Sequence, residues 1–431
     1  MQATSEHQSI WSFRLAIVLL TALSVSLPIA FISLAKFLLF VTGLVFIIAN
    51  QFTKIQYQKW YHRWSTYVIM VIVVAFALSL FWTEVDIDFA LKTFVKHAKL
   101  LGILLLVFLI RSEHEARIAI TVFVLAQVFI LINSWLLFFG FIAPWITNSQ
   151  ADLGTKYVVF SESYLDQSIM FCATAAVLWH LRSSFMWPRW LAIFTALAAL
   201  LNVLVLLPGR TGYLAAVAVL SLALMWKMNQ RRRLITLATV PFLIVLGLSL
   251  SSGQLHDRIF LAVTEVKSNA HHVETGSSSG WRLNAWKRSI EAISEKPLYG
   301  YGVGSWTPAI KRLQGITAIE VFGKDNSSNP HQEFLLWGVE MGIGGTLLLL
   351  ALLISIVKDA REFTPDIQRA TLSVVAVIAI ACCFNSALFD DLMGDFLCVS
   401  IGLLLALGVQ SAHQSKRNPP SQAIAPQLYS A

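Results

Sequence analysis

Twelve stretches of this 431-residue chain are long, apolar and nearly free of charge, the first near 13–34 and the last near 393–411. Crossing the hydrocarbon core of a bilayer takes roughly 20 such residues in a helix, because backbone polar groups there must find their partners within the segment. Twelve repeats of that pattern dictate a helical membrane bundle and leave little chain for anything else. Charge content agrees: 13% of the residues are charged, about half of the roughly 25% that coats an ordinary soluble domain. A soluble enzyme is excluded. The predicted fold is an all-α polytopic membrane protein of about twelve transmembrane helices.

The same pattern divides the chain. Helices one to nine are expected over residues 1–251, one long hydrophilic loop over 252–333, helices ten to twelve over 334–411 and a polar tail over 412–431. Short cytoplasmic connections collect Lys and Arg, and this bias orients membrane proteins. With the N-terminus inside, 17 of the 32 basic residues fall on cytoplasmic connections and 6 on short outer ones. The other 9 lie in 252–333, a stretch long enough to be exempt. Both termini and the tail are thus expected in the cytoplasm, and the loop outside. The net charge of +8 then reflects topology, not nucleic-acid binding. The first run has no small-residue cleavage site and reads as a retained helix. Cys172, Cys382, Cys383 and Cys398 all lie in apolar runs and read as packing residues, not as disulfides or a zinc cluster.

Periodicity gives the outer loop structure of its own. His256–Lys267 and Trp281–Lys296 both read as amphipathic helices, the second burying Leu283, Trp286, Ile290 and Ile293 and ended by Pro297. A glycine-punctuated turn, LYGYGVGSW, follows. Thr307-Pro308 opens a short helix that Gly315 closes, and Asn329-Pro330 opens the tenth membrane helix in the same way. A second outer segment, DIDFALKTFVKHAKL, sets Ile87, Leu91, Phe94 and Ala98 against Asp88, Lys92, Lys96 and Lys99, the pattern of a helix lying on the membrane surface.

Three positions are expensive enough to suggest chemistry. Arg210 sits in a short turn between two apolar helices at the outer face, where a charge either marks a site or snorkels to lipid phosphates. Arg282 lies four residues before Trp286, hence on the same helix face. A guanidinium grips a phosphate through paired hydrogen bonds while a neighbouring ring stacks on a sugar; the plain alternative is a surface salt bridge. His331 follows Asn329 as N-cap and Pro330, which would place its ring in the first turn of the tenth helix. There the helix dipole would keep it neutral and able to accept a proton, and Gln332 would close a capping box with Asn329. Trp286, Tyr301 and Gln332, with Lys92 and Lys96 from the surface helix, complete the candidate substrate-binding set.

Other polar residues have plainer readings. Asp86 and Asp88 have metal-ligand spacing, but the surface helix explains both. His271, His272 and Glu274 lie in a flexible stretch without cysteines. Asp390 and Asp391 solvate a short turn, and Glu340 reads as a buried structural partner. No metal or cofactor is expected.

Taken in order, RTG after a mid-chain helix, GWRLNAW followed by PLYGYGVGSW, and NPHQEFLLWGVEMGIGG at a late helix resemble the O-antigen ligase and polymerase superfamily. The resemblance has motif strength over about 190–350 and rests on topology elsewhere. It implies a fold like the GT-C membrane glycosyltransferases, in the bacterial inner membrane, with the site on the periplasmic side. It also implies transfer of a glycan from an undecaprenyl-diphosphate carrier, without metal and with inversion, to a lipid A–core acceptor. Arg210 and Arg282 would be the essential arginines and His331 the essential histidine; where the family often has asparagine next, this chain has Gln332. A polymerase or a protein O-oligosaccharyltransferase shares these motifs. A twelve-helix transporter would instead gather its polar residues at the bilayer midplane, whereas here they gather at one face.

Overall fold

The computed structural model describes residues 2–53, 63–142, 157–160, 163–226, 228, 232, 278–314 and 329–417. Its described residues form helices and turns, with no strand. In chain order the helices are α1 (Gln2–Ser24), α2 (Ile29–Thr53), α3 (Trp64–Ser79), α4 (Ile87–Ala98), α5 (Leu101–Leu109), α6 (Glu113–Phe138) and α7 (Tyr164–His180). There follow α8 (Arg189–Val205), α9 (Arg210–Met225), α10 (Ser278–Glu295), α11 (Trp306–Gln314), α12 (Glu333–Ala360), α13 (Pro365–Phe384) and α14 (Asp391–Arg417). Five of these, α2, α6, α12, α13 and α14, contain segments long and apolar enough to cross a membrane. Four shorter apolar segments lie in α1, α3, α8 and α9. The chain is a polytopic helical membrane protein.

Several predicted boundaries move. The run 13–34 is broken, because Pro28 has no N–H to continue a helix and opens α2 instead. Lys36 therefore lies inside α2, not on a connection. The run 98–111 yields only the nine-residue α5, about 14 Å long at 1.5 Å per residue and too short to span alone. Helix α11 begins at Trp306, one residue before the expected cap Thr307. Helix His256–Lys267, the ninth span at 234–251, Gly315 and the His271, His272 and Glu274 group lie outside the described residues.

At the centre runs α14, whose apolar span is buried along its whole length, as a helix apolar on every side must be. It packs on α5, α6, α13 and α7. Polar contacts sort into two layers at opposite ends of the bundle. At one end Arg14 holds Glu115 through two hydrogen bonds, Arg63 meets Glu362, and Asp359 accepts from Ser65. At the other, Lys36 meets Asp395, Lys96 meets Asp391 and Lys296 meets Glu84. The first layer holds basic residues assigned by sequence to the inner side; the second holds those assigned to the outer side.

One joint ties the segment before α12 to that helix. Helix α12 breaks at Met341 and Gly342, whose dihedrals are not helical, and a break frees backbone groups that need partners. The glycine turn supplies them: Tyr301 N donates to Val339 O at 2.9 Å, Gly302 N to Glu340 O at 2.9 Å, and Ile343 N to Pro297 O at 2.8 Å. Gly302, at φ +88°, leaves no room for a side chain, since a Cβ there would meet the Thr83 backbone at 2.4 Å. Buried Glu340 completes the joint, accepting from Gly304 N at 2.8 Å and pairing with His97 Nε2 at 2.9 Å. Glu340 is the structural partner its position suggested.

Candidate active site

The site is assembled from three helix starts at one end of the bundle. At the first, Gly209 is the N-cap of α9 and Arg210 its opening residue, exposed, with no side chain capping the helix. A cation at the positive end of a helix dipole is unfavourable on its own, but a guanidinium beside unsatisfied N–H groups suits an anion. The RTG glycine matters sterically. A Cβ on Gly212 would fall 2.4 Å from Ser168 Oγ of α7, so a larger residue would push α9 away and carry Arg210 with it.

The second is α10. Its protein-facing side is Ala285, Ser289 and Ala292, all fully buried, while Leu283 and Ile290 are exposed. The predicted apolar face is therefore corrected: close packing on α12, where a Cβ on Gly338 would meet Ile293 Cδ1 at 2.6 Å, selects small residues. Trp306 Nε1 donates to Ser289 Oγ at 2.9 Å and fixes the helix from the other side. Arg282 is half-buried. Burial lowers its proton affinity below the ordinary value, Tyr164 opposes the shift, and the charge of Arg210 adds to it. Arg210, Arg282 and Tyr164 thus lie within electrostatic reach of one another.

The third is the approach to α12. Here the predicted cap is wrong by three residues: Gln332 is the N-cap, its Oε1 accepting from Leu335 N, and the helix opens at Glu333. His331 precedes the first turn and takes a left-handed conformation, φ +50°, uncommon for a residue with a side chain. Two bonds hold it there. Asn329 Oδ1 accepts from His331 N at 2.9 Å, and Trp286 Nε1 donates to Pro330 O at 3.0 Å. Trp281 packs edge-on against the imidazole, centroids 5.3 Å apart. Glu333, fully buried, anchors the helix start to the α13–α14 turn by accepting from Leu388 N at 2.9 Å and Phe389 N at 3.2 Å. Burial, and then the charge of Arg282, push the His331 pKa down to about 4. The ring is neutral at pH 7, in the direction expected, but through burial and a guanidinium.

Arg210, Arg282 and His331 come together, with Trp286 and Gln332 shaping the turn that carries the histidine. The remaining candidates lie elsewhere. Tyr301 is buried, its hydroxyl donating to Glu295 at 2.6 Å and accepting from Arg312 at 2.6 Å; burial and Glu295 raise its pKa to about 12. Lys96 pairs with Asp391 at 3.1 Å, over the Phe389 ring. Lys92, Asp86 and Asp88 are exposed on and beside α4. Asp390 caps the turn by accepting from Met393 N. All four cysteines are free, three buried and Cys383 exposed. Sequence reasoning missed Trp281, although it adjoins Arg282 in GWRLNAW, and also Tyr164 and Glu333, which no local pattern marks.

The described residues hold no group of three or more His, Cys, Asp or Glu side chains placed to bind a metal ion. Residues 194–350 match the family model described as O-Antigen ligase, a span that contains Arg210, Arg282 and His331. No curated protein matches the chain.

Proposed function

Because residues 194–350 match the O-Antigen ligase family model, we propose that the chain transfers a glycan from undecaprenyl diphosphate to lipid A–core at the periplasmic face of the bacterial inner membrane. The observation that carries this reading is Arg282, which feels the charge of Arg210 and imposes its own on His331. A lipid-diphosphate sugar already carries a good leaving group. Transfer then needs a base for the acceptor hydroxyl and stabilised charge on the departing diphosphate. In the proposed step a neutral ring nitrogen of His331 takes the hydroxyl proton and the acceptor oxygen bonds to the anomeric carbon. The bond from that carbon to the diphosphate oxygen breaks, and the oxygen keeps the electron pair. Arg210 and Arg282 hold the diphosphate through charged hydrogen bonds, so no divalent cation takes part. Attack from the face opposite the leaving group inverts the anomeric carbon. Twelve spans, with both termini in the cytoplasm, would place the three residues at the outer headgroup level that a bilayer-anchored donor can reach.

The test is glycan transfer by the purified protein from a carrier-linked donor to lipid A–core, to pilin, or to a second glycan chain, with and without chelator. Transfer to lipid A–core alone, insensitive to chelator, supports the proposal. Transfer to glycan or pilin would reassign the chain to a polymerase or protein ligase, and solute movement that leaves the donor intact would make it a transporter. Recovery of chelated activity by magnesium would replace the arginine mechanism with one using Asp86 and Asp88.

A further inference from the structure

In a straight helix Phe334 and Thr346 would lie about 18 Å apart, at roughly 1.5 Å of rise per residue. In α12 they touch: Thr346 Oγ1 donates to Phe334 O at 3.0 Å. A Cβ on Gly345 would fall 2.1 Å from Trp337 O, and one on Gly338 would fall 2.9 Å from Thr346 Oγ1. Residues 333–340 therefore double back over the turn that follows the break. Gly342 makes the reversal at φ +66°, and Gly345 lets the two pieces touch. We propose that Thr346 is a positioning residue for glycan transfer. Its hydroxyl clasps this folded-back arm and so fixes His331 relative to Arg282; the assignment rests on the roles proposed above for those two residues.

Other threonines of the bundle bond within their own helix, four residues back: Thr21 to Ile17 O, Thr121 to Arg117 O and Thr371 to Ile367 O. Four residues before Thr346 stands Gly342, at the break, and the hydroxyl reaches across to the arm instead. The arm begins beside the histidine. His331 lies two residues before Glu333, whose carboxylate is tied to the α13–α14 turn through Leu388 N and Phe389 N. Further along, Gly338 is pressed from two sides, since a Cβ there would meet Ile293 Cδ1 of α10 at 2.6 Å as well as the Thr346 hydroxyl. Thr346, Gly338 and Ile293 form one stack, which joins the arm that follows His331 to the helix that carries Arg282. A base must stand within hydrogen-bond reach of the hydroxyl it deprotonates, and a displacement of about 1 Å can cost on the order of 100-fold in rate. Thr346 thus acts through the arm and not on the reacting atoms.

The test compares Thr346→Val, which keeps the shape and loses the hydroxyl, with Thr346→Ser, which keeps the hydroxyl, in the full-length protein. Thr346→Val should lower kcat about fivefold, the worth of one hydrogen bond, with KM for the donor unchanged, and Thr346→Ser should restore it. Carbethoxylation of His331 by diethyl pyrocarbonate, followed by mass spectrometry of its peptide, reports the arm without any turnover. It should quicken several-fold in Thr346→Val and keep the wild-type rate in Thr346→Ser. A Thr346→Val protein that melts lower but keeps wild-type kcat and labelling has lost a structural bond only, which overturns the proposal. Equal effects of Thr346→Val and Thr346→Ser overturn it too, because the hydroxyl would then not matter. If Thr346→Val does not fold, Thr346→Ala is read in the same way. A wild-type protein that transfers no glycan sinks the function proposed above, while the labelling rates still decide whether Thr346 holds the arm.

Discussion

His97 and His331 belong to the same end of the bundle and meet opposite company. His97, near the end of α4, is buried against Glu340 at 2.9 Å and stacked on Phe76 at 3.9 Å. His331 stands beside Trp281 and within the field of Arg282, in a strained backbone conformation. A histidine given a carboxylate and a flat ring is held for good. A histidine given a guanidinium is kept unprotonated, which costs stability only below its ordinary pKa and leaves it free to act. The same contrast separates Arg14, bound to Glu115 through both terminal nitrogens, from Arg282, placed near a second arginine.

The sharpest way to break this contrast is to remove each group in turn. Ala at His331, Arg282 or Arg210 should lower transfer by at least about 100-fold with little change in melting temperature. His97→Ala leaves Glu340 buried without its partner and should cost about 3 kcal/mol of stability, while folded molecules keep most of their activity. A His97 variant that melts normally but is inactive would erase the distinction. Next in size, Gly302→Ala forces a side chain into a left-handed conformation against Thr83. It should cost about 1–3 kcal/mol and lower activity by loosening the joint at α12, as thermal melting beside an activity assay can show.

A pH profile sharpens the contrast further. Since the folded pKa of His331 is lowered from 6.5 to about 4, the acid limb of transfer should fall near pH 4. The unfolded chain takes up this proton first, so the same shift makes stability fall as pH drops from 6.5 towards 4. In Arg282→Gln the limb of the residual activity should move upward, because one cause of the shift is gone. Smaller again, Trp286→Phe loses the hydrogen bond to Pro330 O, worth about 1 kcal/mol, and should lower kcat several-fold with KM unchanged. Lys92→Ala, at an exposed position of α4, should change stability and transfer by less than about 0.5 kcal/mol.

Much of the fold was readable because hydrophobic length reports membrane helices directly. What hydropathy could not convey was interruption. Pro28 breaks an apolar run, Gly342 breaks α12, and Lys99 marks where α4 hands over to α5, yet each is a single residue within an apolar or amphipathic segment. For the site, Arg210, Arg282 and His331 stood out as charged or titratable groups in costly places and as members of three ordered motifs. Their proximity was not legible, since it depends on α10 and α12 meeting across Ile293 and Gly338. The fully buried positions of α10 are the small residues Ala285, Ser289 and Ala292, which carry almost no hydrophobic signal. Tyr301 drew attention through its motif, but tertiary packing turned its ring inward.

The joint at Met341–Gly342 bears on how the protein is made. Its missing helix bonds are supplied by residues 297–302, a segment synthesised before α12 and, on the proposed topology, sent to the outer side of the membrane. That segment must already have been translocated when α12 enters the bilayer, or the helix would insert with bare carbonyls at its break. Biogenesis thus has an order written into it, and the arm carrying Arg282 arrives before the turn carrying His331.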